Sequence, residues 1–226
     1  MDSKQKCVVA QIKKHKQTLI NGDKEISLTG ILNSEPCQMV LSECREFRDR
    51  IYTPVKTIFT FIKQVLNPDK SCKKAVADVV AARLVLNEEK ISANTGPYCK
   101  ARARIPEETV QDLVKATGQM ASEKSLMQWR TYGRELKVFD GSTAKMQDTS
   151  ANQAEYPQVK NQKKGLGFPI VRFVVVMSLT IGTVLNYAIN GYSGKGTGES
   201  SLLRSIFDCI IMDDIVLGDR YFPNFF

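Results

Sequence analysis

Two aspartates stand where short apolar runs close. Asp140 follows Leu136 and Val138 in Val138-Phe139-Asp140-Gly141-Ser142-Thr143, and Asp219 follows Ile215-Val216-Leu217 in Leu217-Gly218-Asp219-Arg220-Tyr221. Each run has the apolar, β-branched character of a strand. If the strands are neighbours in one sheet, the two carboxylates meet at the same edge. Paired hard oxygen donors suit magnesium or manganese. Such ions can activate a water or a 3′ hydroxyl and stabilise the leaving oxygen at a phosphodiester. The alternative is that Asp140-Gly141 simply marks a turn.

Other chemistries have less support. The chain has one histidine, His15, in the charged run Lys13-Lys14-His15-Lys16, so a histidine zinc cluster is excluded and a Ser-His-Asp triad is strained. Six cysteines occur, none as Cys-x-x-Cys, and the first sixteen residues lack a secretory pattern, which reads as reduced thiols in a cytoplasmic protein. The turn Tyr192-Ser193-Gly194-Lys195-Gly196-Thr197-Gly198 matches neither phosphate-loop nor dinucleotide spacing, although it could touch a phosphate. Glu199 reads as a first-turn helix acid. A net charge of +8 and a pI near 9.2 favour polyanionic partners.

The elements that must position the aspartates follow from hydrophobic period. Residues 1–35 form a polar lead-in. A helical region over 36–131 follows, with apolar stripes at Cys37, Val40, Leu41, Cys44, Phe47 and Ile51, and at Ile58, Phe59, Ile62, Val65 and Leu66. A third stripe runs through Cys72, Ala75, Val76, Val79 and Leu86, and a fourth through Val110, Leu113, Val114 and Met120. Thr53-Pro54 and Ser71 or Asp69 are helix starts, and Pro106-Glu107-Glu108 opens the fourth helix. The stretch Asn87–Ile105 reads as a loop. Over 132–226 the period becomes that of an α/β region. The apolar run 168–189 is long enough to cross a bilayer. Arg172 within it, its β-branched content and Ile181-Gly182-Thr183 at its middle favour a buried hairpin. Thr197 is placed to cap a helix bearing Leu202, Leu203, Ile206 and Ile210.

From about Ser71 onward the order of short motifs resembles bacterial insertion-sequence transposases of the DDE class, in the IS-four-like branch. The residues that carry the resemblance are Asp69-Lys70-Ser71-Cys72, Asn94 through Arg102, Asp140-Gly141-Ser142-Thr143, Asp148-Thr149, Asn152-Gln153 and Tyr156-Pro157-Gln158. They continue with Gly165 through Ile170, Tyr192 through Glu199, and Leu217 through Phe222. The resemblance implies a ribonuclease-H-like catalytic core, a mixed sheet with flanking helices, behind an all-helical N-terminal region. It makes Asp140 and Asp219 the first two catalytic, metal-binding acids, with Mg2+ or Mn2+ as cofactor and transposon-end DNA as substrate. The family's third acid is a glutamate well downstream of the second aspartate. The expectation is therefore an incomplete, C-terminally truncated core, either a transposase fragment or an inactive DNA-binding or inhibitory one. Implied partners are DNA, a second copy or a full-length transposase, with no membrane. The implied location is cytoplasmic, associated with the nucleoid when DNA is bound. Charge marks Lys163, Lys164, Arg172, Lys195, Arg220, Lys100, Arg102 and Arg104 as candidate DNA contacts.

Overall fold

The computed structural model describes residues 28–44, 51–159, 161, 163 and 165–219. The expectations for His15, Phe47, Lys164 and Arg220, and for most of the lead-in, lie outside those residues. The chain divides into two compact units, 1–110 and 111–226.

The first unit is helical. Helices α1 (Leu28–Leu32), α2 (Glu35–Ser42), α3 (Pro54–Leu66), α4 (Cys72–Val85) and α5 (Gly96–Arg102) follow in order. Pro54 fills the first turn of α3, and the Thr53 hydroxyl accepts the Lys56 amide. Ser71, rather than Asp69, caps α4 by accepting the Lys74 amide at 3.1 Å; Asp69 accepts the Ser71 amide one step earlier. The core gathers Tyr52, Ala75, Val76, Tyr98 and Ala101, with Cys72, Val79, Val80 and Cys99 against it.

Two expectations are corrected here. Helix α5 lies inside the stretch that reads as a loop, and it delivers the fully buried Tyr98 to the core. The buried face of α3 is partly polar: Thr57, Ile58, Thr60 and Gln64 are buried, whereas Val65 and Leu66 are exposed. The threonine hydroxyls satisfy themselves on the preceding turn, Thr57 on the Thr53 carbonyl at 2.7 Å and Thr60 on the Lys56 carbonyl at 2.6 Å. Gln64 is a hub. Its oxygen accepts the Tyr98 hydroxyl at 2.7 Å and Arg102 at 3.2 Å, and its nitrogen donates to the Lys70 carbonyl at 2.7 Å. Leu86, expected within the buried stripe, instead caps the C-terminus of α4 and is likewise exposed.

Helix α6 (Glu107–Glu123) begins at the acids expected of its positive end. In the second unit its body lies on a mixed four-stranded sheet. The strands are β1 (Leu136–Lys145), β2 (Ile170–Ser178), β3 (Thr183–Gly191) and β4 (Ile215–Leu217), in the order β3-β2-β1-β4. Helices α7 (Ser150–Glu155) and α8 (Glu199–Ser205) lie in the connections. Strands β2 and β3 form the expected hairpin, turning at Gly182 with φ +66°. Among the described residues no helix is long and apolar enough to cross a membrane.

Strand β1 is antiparallel to β2 and parallel to β4. Phe139, Val174, Val176, Leu185 and Ala188 pack with Leu202, Leu203 and Ile206 from the α8 segment. Gly118 of α6 lies against the Val184 carbonyl and Leu185, and Gln111 donates to the Tyr187 carbonyl of edge strand β3 at 2.6 Å.

Candidate functional site

Strand β1 does not stop at Asp140. It continues to Lys145, paired with β2 as far as Ile170. Asp140 is thus interior to the strand, and no turn forms at Asp140-Gly141. Its partner on the β2 side is Val175. On the other side β1 pairs with β4 through Leu136 with Ile215, Lys137 with Val216 and Val138 with Leu217. Asp140 and Asp219 each follow two residues after the last of these pairs, where β4 has ended.

A Cβ on Gly218 would run into the Phe139 ring. Glycine at 218 lets that ring lie over the β4 backbone, so the strands stay close as they reach the two acids. Both aspartates are exposed. The Asp140 carboxylate accepts the Gly141 amide at 2.8 Å, which shows that this amide is not used in the ladder where β4 has ended.

Beneath the strand start, Lys137 is buried and anchors the approach to β4. Its ammonium donates to Asp214 at 2.7 Å and to the Cys209 carbonyl at 2.9 Å, with Glu135 at 3.9 Å. Asp214 also accepts the Ile211 amide at 2.8 Å, and Glu135 accepts the Ser122 hydroxyl at 2.9 Å. Lys137 occupies the same strand face as Phe139, where period alone calls for an apolar residue. That mismatch is the signal by which sequence could have singled it out. Nearby, burial and then Asp208 push the Cys209 thiol up to about 11.

The glycine-rich turn is held against β2 by Arg172. Its guanidinium donates to the Thr197 carbonyl at 3.0 Å, stacks over the Tyr192 ring at 4.7 Å and lies 3.9 Å from Glu199. Thr197 does not cap α8. Its hydroxyl turns back to the Gly194 carbonyl at 3.0 Å, and Gly198 takes the cap position. Glu199 lies across Gly141: a Cβ there would stand 2.5 Å from the Glu199 carboxyl carbon.

The structure sorts the candidate cations by what already holds them. Arg172 is tied into the glycine-rich turn. Arg102 is bound to Gln64 and stacks on Phe61 at 5.2 Å. Lys100, Arg104, Lys163 and Lys195 are exposed. Asp148, Gln153 and Gln158 form a clasp between β1 and β2: Gln158 accepts the amides of Gly165 and Gly167, each at 3.2 Å, and Gln153 donates to Asp148 at 2.8 Å. Asp140 and Asp219 offer the oxygen donors magnesium prefers. Among the described residues, no group of three or more His, Cys, Asp and Glu side chains is arranged to hold a metal ion. No family model, curated protein or solved structure matches the chain.

Proposed function

We propose that this chain carries a ribonuclease-H-like core of a DDE-class, insertion-sequence transposase, and that its chemistry is metal-dependent cleavage and transfer of DNA strands at transposon ends. One observation carries the reading. The parallel β1–β4 pairing runs to Val138 and Leu217, and Asp140 and Asp219 each lie two residues past that last pair in a sheet ordered β3-β2-β1-β4. The succession along the chain of a first strand, an antiparallel hairpin, a helix and a fourth strand is the one the family resemblance implies.

In this reading the two carboxylates hold Mg2+ or Mn2+, which supplies Lewis-acid stabilisation and an activated oxygen nucleophile at a phosphodiester. The chain's own residues do the rest. Phe139 over Gly218 keeps the strands close, the Lys137–Asp214 pair fixes the approach to β4, and Lys163 and Lys195 are exposed charges for backbone phosphates. Magnesium-dependent cleavage of a transposon-end duplex tests the proposal, with Asp140→Ala and Asp219→Ala each abolishing it. Cleavage that survives both substitutions would refute it.

The absence of a third arranged ligand among the described residues favours a second reading of the same ancestry, a catalytically inactive DNA-binding or inhibitory fragment. It predicts DNA binding without cleavage. Pairing with a second copy or with a full-length transposase belongs to that reading.

A further inference from the structure

We infer that Glu199 is a positioning residue for Asp140, acting through Gly141; the inference rests on the metal-site reading above. The backbone at Gly141 is not in the left-handed region, so conformation does not call for glycine there. Space does. A Cβ at 141 would meet the Glu199 carboxyl carbon at 2.5 Å, its Cγ at 2.7 Å and Oε2 at 2.9 Å. Glycine at this strand position therefore admits the Glu199 side chain flat onto β1, one residue beyond Asp140.

The other side of the same residue holds Asp140. The Gly141 amide donates to the Asp140 carboxylate at 2.8 Å. Glu199 thus covers Gly141, whose amide in turn orients Asp140, at the point where pairing with β4 has stopped. Arg172 keeps Glu199 in place. It lies 3.9 Å from the carboxylate and also binds the Thr197 carbonyl two residues earlier, so the turn and the glutamate are set on the sheet together. With Glu199 34% exposed and the charges 3.9 Å apart, the Arg172–Glu199 pair is weakly coupled electrostatically. Shape carries the effect more than charge.

The full chain tests this with two readouts: amide hydrogen exchange at Gly141, and Mn2+ affinity by electron paramagnetic resonance. Glu199→Ala speeds Gly141 exchange several-fold, because the covering side chain is gone and this part of the strand opens more readily. It also weakens Mn2+ by about tenfold or more, as loss of an outer support to a metal ligand does. Glu199→Gln, which keeps the shape, restores both to within about twofold. Gly141→Ala reproduces the Glu199→Ala weakening of Mn2+, and the double variant is no worse than either single one, because both disturb the same contact. Unchanged Gly141 exchange in Glu199→Ala overturns the positioning role. So does failure of Glu199→Gln to restore it. Mn2+ affinity indifferent to Asp140→Ala and Asp219→Ala overturns the metal-site reading instead, and the exchange measurement still decides whether Glu199 holds Gly141.

Discussion

Replacing Lys137 with methionine should be among the most damaging single changes in the sheet. The Lys137 and Asp214 side chains are 5% and 4% exposed and meet at 2.7 Å. Methionine fills most of the space but cannot donate. Asp214 would keep only the Ile211 amide, and the Cys209 carbonyl would lose its donor. Stranding one member of a buried pair costs about 3–5 kcal/mol, a large share of the ~5–15 kcal/mol that holds a domain folded. The loss should appear first at β4, whose Ile215 amide bonds the Glu135 carbonyl at 2.9 Å. Urea denaturation followed by far-UV circular dichroism gives the total, and exchange at Ile215 localises it. The double variant Lys137→Met with Asp214→Leu removes both charges and should recover most of the loss, since a buried pair is often replaceable by apolar residues. A single variant costing under about 1 kcal/mol, or a double variant as unstable as the sum of its singles, would refute the reasoning.

Gly218→Ala forces the Phe139 ring off β4 and should destabilise the sheet by about 1–3 kcal/mol, read as a lowered urea midpoint. Gln64→Leu leaves the buried Tyr98 hydroxyl without its acceptor and strips Arg102 of a partner; thermal melting should report a loss of about 1–3 kcal/mol in the helical unit. Because the Cys209 thiol is pushed up to about 11, its alkylation by iodoacetamide should stay slow at pH 9 and rise only as pH approaches that value, whereas an ordinary exposed thiol reacts freely near pH 9. Peptide mass spectrometry after timed alkylation checks this. DNA binding, if it uses the exposed Lys163 and Lys195, should weaken steeply with added salt in a filter-binding titration, and each lysine removed should flatten that slope.

Much of the second unit is legible in the sequence because its signals are local. Gly182 between two β-branched runs specifies the hairpin, and Ile215-Val216-Leu217 is short and continuously apolar, as a parallel strand is. Asp140 was harder to place, because Asp-Gly is ordinarily a turn signal. Here the glycine answers to Glu199, a residue 58 positions away, and no local pattern carries that information. Helix α5 escapes periodicity since it is seven residues long and starts at Gly96-Pro97. The buried face of α3 is hidden for another reason. Thr57 and Thr60 bond backward within their own helix, and Gln64 is satisfied by residues from other elements, so polar side chains stand where the stripe of Ile58, Val65 and Leu66 suggests apolar ones. Sequence leaves the pairing of the two aspartate-bearing strands open; the β1–β4 register pairs them parallel, up to Val138 with Leu217.

In the proposed function Asp140 and Asp219 form one metal site. Mn2+ titration of the native chain, Asp140→Asn, Asp219→Asn and the double variant tests this. Either single change should remove most of the binding and the double change add little, because both carboxylates would share the ion. Native affinity in both single variants, or two independent and additive losses, would contradict it.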